Sequence, residues 1–201
     1  MPAKDWLPGS VRAAAIERKL KAGEALFRQG GKTVGLCEVI EGSVRLARVD
    51  RAGNEVVLHV AGAGDTIAEA SLFSPAYHCD AIASTDAVVR IYPKQVMVDA
   101  FARDPKAAQA FTAMLARQVM TLRARIEQRN IRSARERLRH YLALNAGADG
   151  RTVTLRGTLK DLAAELGLTH EALYRTLAAL ERAGKIKRVM GKIVLAKVRG
   201  I

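Results

Sequence analysis

The sequence predicts an α+β protein: a small β-barrel or jelly roll, then one long helix, then a winged helix-turn-helix. Three features carry that expectation. From Lys21 to Pro93, stretches rich in Val, Ile and Leu are broken every several residues by glycine, the spacing of a compact all-β domain. Between Pro93 and Gly147 glycine is absent and the apolar residues take a helical period. Near the end, two short helical patterns meet at Gly167 and are followed by two alternating runs around Gly191. The length of 201 residues corresponds to about 1.3 domains at roughly 150 residues each, one full domain and a small one. Apolar residues make up 49% of the chain, enough for a real core.

In the first part, Gly23, Gly30, Gly31, Gly35, Gly42, Gly53, Gly62 and Gly64 mark the turns. Val44 to Val49 alternates apolar and polar residues as a half-buried strand does. Asp50 to Asn54 supplies turn chemistry before Val56 to Val60, so a hairpin is expected there. Beyond Pro93, Phe111, Leu115, Val119, Leu122 and Ile126 recur at intervals of four, four, three and four. That is a continuous seam on one helix of about 20 residues or more. The seam either packs on the chain's own barrel or meets a second copy; its length on so small a chain favours the second copy.

Asn130 to Ser133 reads as a joint. Ser133 and Glu136 have capping-box spacing, which starts a helix running to about Asn145 with Leu138, Tyr141 and Leu142 inward. A loop over Ala146 to Gly150 ends it. Thr158 and Asp161 open the next helix, Gly167 breaks it, and Thr169 caps a further helix that Gly184 closes. Ala163 is small where the two helices must cross, and Leu162, Leu166, Leu173, Leu177 and Leu180 supply the shared core. Lys185 to Leu195 then forms a two-stranded wing. The divisions are therefore residues 1–93 for the barrel, 94–130 for the dimerisation helix and hinge, and 131–201 for the winged domain.

The net charge is +13, from 33 Lys and Arg against 20 Asp and Glu. Residues 1–128 hold 17 basic and 14 acidic side chains, whereas residues 129–201 hold 16 and 6, so +10 of the charge lies in the last third. That distribution points to double-stranded DNA as partner of the winged domain. In a helix-turn-helix the second helix enters the major groove by its N-terminal end. His170, Glu171 and Arg175 stand there as base contacts. Arg can grip guanine with two hydrogen bonds and Glu can accept from the cytosine amino group. The alternative is an ordinary ion pair across one helical turn. Thr158, Thr169, Lys185, Lys187, Arg188 and Lys192 are expected at phosphates, which position the protein without reading sequence.

These features together resemble the cAMP receptor protein and FNR family of bacterial transcription regulators over nearly the whole chain. Gly23-Glu24-Ala25-Leu26-Phe27-Arg28-Gln29-Gly30 resembles the family's opening barrel motif, and Gly62-Ala63-Gly64-Asp65 its turn before the effector segment. Leu168-Thr169-His170-Glu171-Ala172-Leu173-Tyr174-Arg175 resembles its recognition helix. The resemblance implies a cyclic-nucleotide-binding-like barrel, a homodimer, a pseudo-palindromic operator and RNA polymerase as a further partner.

The departures fall in the effector pocket, whose candidates are Ala68, Glu69, Ser71, His78 and Cys79. Glu69 remains where the family's Glu meets a ribose hydroxyl. Ala68 stands for a Gly, and His78 stands where the resemblance places an Arg that clamps the cyclic phosphate. Loss of that permanently charged, bidentate partner argues against cyclic AMP as effector. Residues 1–36 contain no Cys, which argues against an iron–sulfur cluster. His78-Cys79 leaves haem, a metal or a redox-responsive thiol open, since an imidazolium lowers a thiol pKa; the plainer reading has Cys79 buried on a strand and His78 on the surface.

The same residues weigh against other classes. A cupin-like metal enzyme needs clustered His and Glu ligands, and His59 and His78 are isolated, so no catalytic activity is expected. A nonspecific architectural DNA binder would not place Glu171, which repels phosphate, at the head of its helix. No run reaches the roughly 18 apolar residues of a membrane span, and Met1–Trp6 does not open like a signal peptide. A cytoplasmic location is therefore expected.

Overall fold

The computed structural model describes residues 6–155 and 157–196. Met1–Asp5, where the chain was read for a signal peptide, Arg156, and the last five residues of the winged domain lie outside that range. Packing divides the chain into two units, Met1–Thr121 and Leu122–Ile201. The boundary falls inside a single helix.

The first unit is an eight-stranded jelly roll. One sheet is formed by β1 (Ile16–Leu20), β8 (Ala87–Pro93), β3 (Gly35–Glu41) and β6 (Thr66–Ile67), in that order. The other is formed by β2 (Ala25–Phe27), β7 (Asp80–Ala83), β4 (Ser43–Val49) and β5 (Glu55–Gly62). Leu20, Leu26, Cys37, Val39, Val44, Ile67, Ala81 and Val89 fill the space between them. The expected hairpin is β4–β5, with Asp50 Oδ1 accepting from the amides of Ala52 and Asn54 to hold its turn. Gly42 joins β3 to β4 at a φ of 73°, and a Cβ there would lie 2.1 Å from the Asp86 carbonyl oxygen. Only glycine fits.

Strand β3 is buried over five successive residues because both its faces are covered. Cys37 and Val39 point into the barrel. Leu36 joins Tyr92, Trp6, Val11, Leu72, Met97, Phe111 and Met114 in a second cluster. That cluster lies under α1 (Gly9–Ala13), α2 (Lys94–Arg103) and the start of α3 (Pro105–Asn130). Tyr92 donates to the buried Glu38 carboxylate at 2.6 Å, a polar pair closed off by these helices.

The second unit holds α4 (Ala134–Leu144), β9 (Thr152–Thr154), α5 (Leu159–Glu165), α6 (His170–Arg182), β10 (Ile186–Val189) and β11 (Lys192–Leu195). Its core is Leu138, Tyr141, Leu142, Val153, Leu162, Ala163, Leu166, Leu173, Leu177, Leu180, Ile186 and Ile193. Every inward residue expected from the helical periods is in it. Two details differ from the sequence reading. Ser133 caps α4 by accepting from the Glu136 amide, but the Glu136 carboxylate takes a bond from Arg139 in place of completing the capping box. The wing also gains a third strand, β9, which pairs with β11; three residues after a glycine-rich loop give too short an alternation to stand out. Among the described residues no helix is long and apolar enough to cross a membrane.

Candidate nucleic-acid interface

The helix-turn-helix is assembled from its caps. Thr158 accepts from the Asp161 amide and Asp161 accepts from the Thr158 amide, so both arms of the box are made. The Thr158 hydroxyl also donates to Asp161 at 2.8 Å, which occupies the proton that the sequence reading assigned to a phosphate. Gly167 then turns the chain at a φ of 61°. Arg137, on α4, fixes that turn: Nη1 donates to the carbonyls of Leu166 at 2.8 Å and Gly167 at 3.1 Å, while Nε and Nη2 hold the Ile131 carbonyl. A cation at the C-terminal end of α5 satisfies carbonyls that no helical amide reaches.

Helix α6 is sharply two-sided. Leu173, Leu177 and Leu180 are buried, while His170, Glu171, Tyr174 and Arg175 stand exposed on its first turns. Thr169 accepts from the Ala172 amide at 3.1 Å. The Glu171 carboxyl is held below its ordinary pKa, first by its own backbone amide and then by the Thr169 hydroxyl, with smaller help from His170 and Arg175. Glu171 is thus presented as an ionised acceptor. Among the described residues no ion pair joins Glu171 to Arg175, which leaves the guanidinium outward. The rings of His170 and Tyr174 lie 4.5 Å apart, so Tyr174 joins His170, Glu171 and Arg175 among the exposed side chains at the head of α6. The sequence reading passed over Tyr174; its place one residue before Arg175 and one turn after His170 was the available signal.

In the wing, Lys185, Lys187, Arg188 and Lys192 are all exposed, but Arg188 is engaged within the chain. Its amide and Nε each donate to Glu181 at 3.0 Å, and its guanidinium pairs with the same carboxylate at 2.8 Å. Arg188, expected at a phosphate, therefore also ties the wing to the last turns of α6.

The effector segment of the first unit is built differently from the sequence expectation in one respect. Ala68 adopts the left-handed conformation at a φ of 71°, a conformation that costs an L-residue about 1 kcal/mol. The 3-10 turn Glu69–Ser71 follows, with Ser71 buried. Glu69 Oε1 accepts from Thr66 Oγ1 at 2.5 Å and from Gln118 Nε2, on α3, at 2.6 Å. His78 is exposed and its carbonyl accepts from Arg48. Cys79 is half-buried at a bend before β7, and burial pushes its thiol pKa up, with Asp80 adding to the rise and Arg48 opposing it. Of the two readings left by the sequence, His78 is on the surface as the plainer one has it, though Cys79 is half-buried at a bend and not on a strand; desolvation, not activation by His78, dominates its thiol. Among the described residues no three His, Cys, Asp or Glu side chains gather at a metal site.

A jelly roll leading into a long helix, and a winged helix-turn-helix that presents Glu171 and Arg175 at the head of α6, define a transcription regulator that binds DNA. Comparison with known proteins gives the family. Residues 17–104 match the cyclic nucleotide-binding domain and residues 136–200 the Crp-like helix-turn-helix domain. The chain is 28% identical over 192 residues to the transcriptional regulator SdrP of Thermus thermophilus, covering 90% of each. It superposes on the structure of FixK2 from Bradyrhizobium japonicum with a TM-score of 0.79, at 23% identity, covering 91% of this chain and 93% of that one. A CRP/FNR-family regulator from Thermus thermophilus gives a TM-score of 0.65 at 26% identity, covering 92% and 95%. The chain belongs to the Crp/FNR family of transcription regulators.

Proposed function

We propose that the protein regulates transcription as a homodimer on a pseudo-palindromic operator, with Glu171, Arg175 and His170 reading each half-site. The observation that supports this most directly is the division of the α3 seam. Phe111 is buried and Leu115 packs against the same cluster. Val119, Leu122 and Ile126 continue the stripe at 47%, 53% and 62% exposure. Three large aliphatic residues in succession on one helix face make a contiguous apolar stripe that gains by being covered, and a parallel second α3 offers the same stripe. Two recognition helices then reach half-sites one helical turn apart.

The test is binding to an operator selected from random duplexes by the wild-type protein. Lys187→Ala is expected to weaken binding to operator and random DNA by the same factor. It should also lower the salt dependence by about 0.9 for each phosphate that the variant no longer neutralises. A titration in which Lys187→Ala altered operator preference would overturn the division between base and phosphate contacts.

We further propose that cyclic AMP is not the effector. The Glu69 oxygen that would meet a ribose hydroxyl is already taken by Thr66 and Gln118. Neither His78 nor Cys79 supplies a fixed cation. Calorimetric titration with millimolar cyclic AMP is expected to show no saturable heat and no change in operator affinity; saturation at micromolar concentration would refute this. Cytoplasmic location and contact with RNA polymerase accompany the regulator role.

A further inference from the structure

The wing carries a side chain that phosphate binding does not explain. Val189 pairs with Lys192, so Met190 and Gly191 alone form the turn at the tip of the β10–β11 hairpin. Met190 is 97% exposed, the most exposed large apolar residue described, and Val189 beside it is half exposed. The unit's own core has no use for either, because the hairpin already contributes Ile186 and Ile193 to it. Along the chain the tip is flanked by cations: from Arg182 to Ile201 the sequence contains no acidic residue, and the Glu181 carboxylate that reaches the hairpin is taken up by Arg188. Lys187 stands exposed on one limb and Lys192 on the other. The hairpin does not swing freely either, since the three bonds from Arg188 to Glu181 fasten it to the last turns of α6.

An apolar tip between two cationic limbs matches one surface of DNA. A phosphate row alone calls for a cation at the tip. The minor groove has a phosphate strand along each wall, one for each limb, and between them a narrow slot of sugar and base edge that accepts apolar side chains such as methionine. We propose that the wing enters the minor groove flanking each half-site and that Met190 is a specificity residue there. Its thioether rests on the groove floor and disfavours the guanine 2-amino group, which protrudes into that slot. This inference rests on α6 occupying the adjacent major groove.

The test uses inosine, which lacks the 2-amino group yet presents the same major-groove edge as guanine. In the wild-type operator, each flanking step within one turn of the half-site is made G·C and then I·C. Wild-type protein is expected to bind the I·C form about threefold to tenfold more tightly at one step on each side, the scale of burying one or two methylene groups. Met190→Ala should bind both forms equally, with discrimination of the half-site core and the salt slope unchanged. Met190→Lys should steepen the salt slope and also lose the inosine response. The proposal is overturned if wild-type protein is indifferent to inosine at every flanking step, or if Met190→Ala keeps the wild-type response, which would leave the tip to a protein partner. Arg175→Ala run alongside separates the two readings: it loses operator preference and, with the register on the duplex gone, the inosine response as well, whereas Met190→Ala loses the inosine response alone.

Discussion

Replacing Arg175 by Ala is expected to abolish the preference of this regulator for its operator over random DNA. Arg175 is exposed on the second turn of α6, and among the described residues no ion pair within 4 Å binds it to Glu171, so its planar fork is available to the two acceptors of a guanine. A bidentate contact of this kind discriminates by about 1–3 kcal/mol. A two-fold symmetric dimer loses it at both half-sites, so operator affinity should fall by roughly a hundredfold or more. Affinity for random DNA, which depends on phosphate contacts, should fall by no more than about tenfold. Folding should be unaffected, since the α6 core residues lie on the opposite face. A gel-shift titration in which the variant kept its operator preference would remove Arg175 from the reading face. Glu171→Gln makes a finer probe, because it keeps the shape and loses the charge that the Thr169 hydroxyl orients.

Ile126→Asp is expected to convert the dimer into monomers. At 62% exposure, Ile126 costs the folded protomer little when replaced, and the circular dichroism spectrum should not change. In a parallel pairing of α3, symmetry sets the new carboxylate near its own copy, adding charge repulsion to the missing apolar burial. The mass measured by light scattering at micromolar concentration should halve. Operator affinity should drop by about 10²–10⁴, the avidity that disappears when two half-sites are bound independently. A variant that stayed dimeric would show that the exposed stripe of α3 is not the interface. Phe111→Asp is the contrasting case: Phe111 is packed against Trp6 and Phe101 at ring distances of 5.6 and 5.0 Å, so that change damages the first unit itself.

Much of this molecule could be read from local pattern. The caps at Ser133, Thr158 and Thr169, the leucines facing inward from α5 and α6, and the turn at Gly167 depend on residues only three or four positions apart. Such spacings fix which way a side chain points from its own helix axis. The same holds for the β4–β5 hairpin, whose turn is closed by Asp50 within four residues. These elements stand where the sequence placed them, and they were enough to put Glu171 and Arg175 at the head of an exposed helix.

What a side chain meets once it points outward depends on residues far along the chain, and there periodicity is silent. Phe111 and Ile126 belong to one seam by spacing, yet the cluster of Trp6, Leu36 and Tyr92 covers the first and leaves the second in solvent. By spacing, Arg137 is one of many helix-surface cations, yet its guanidinium reaches Leu166, 29 residues away, and Gly167, 30 away, holding the turn between the two DNA-binding helices. Glu69 has the identity of a ribose contact, but Gln118 reaches it from 49 residues further on. The sequence alone determined the elements, their inward faces and the basic last third, because those follow from short-range spacing and charge. Only the tertiary structure decided which apolar face is left over and which charges are already taken up within the chain.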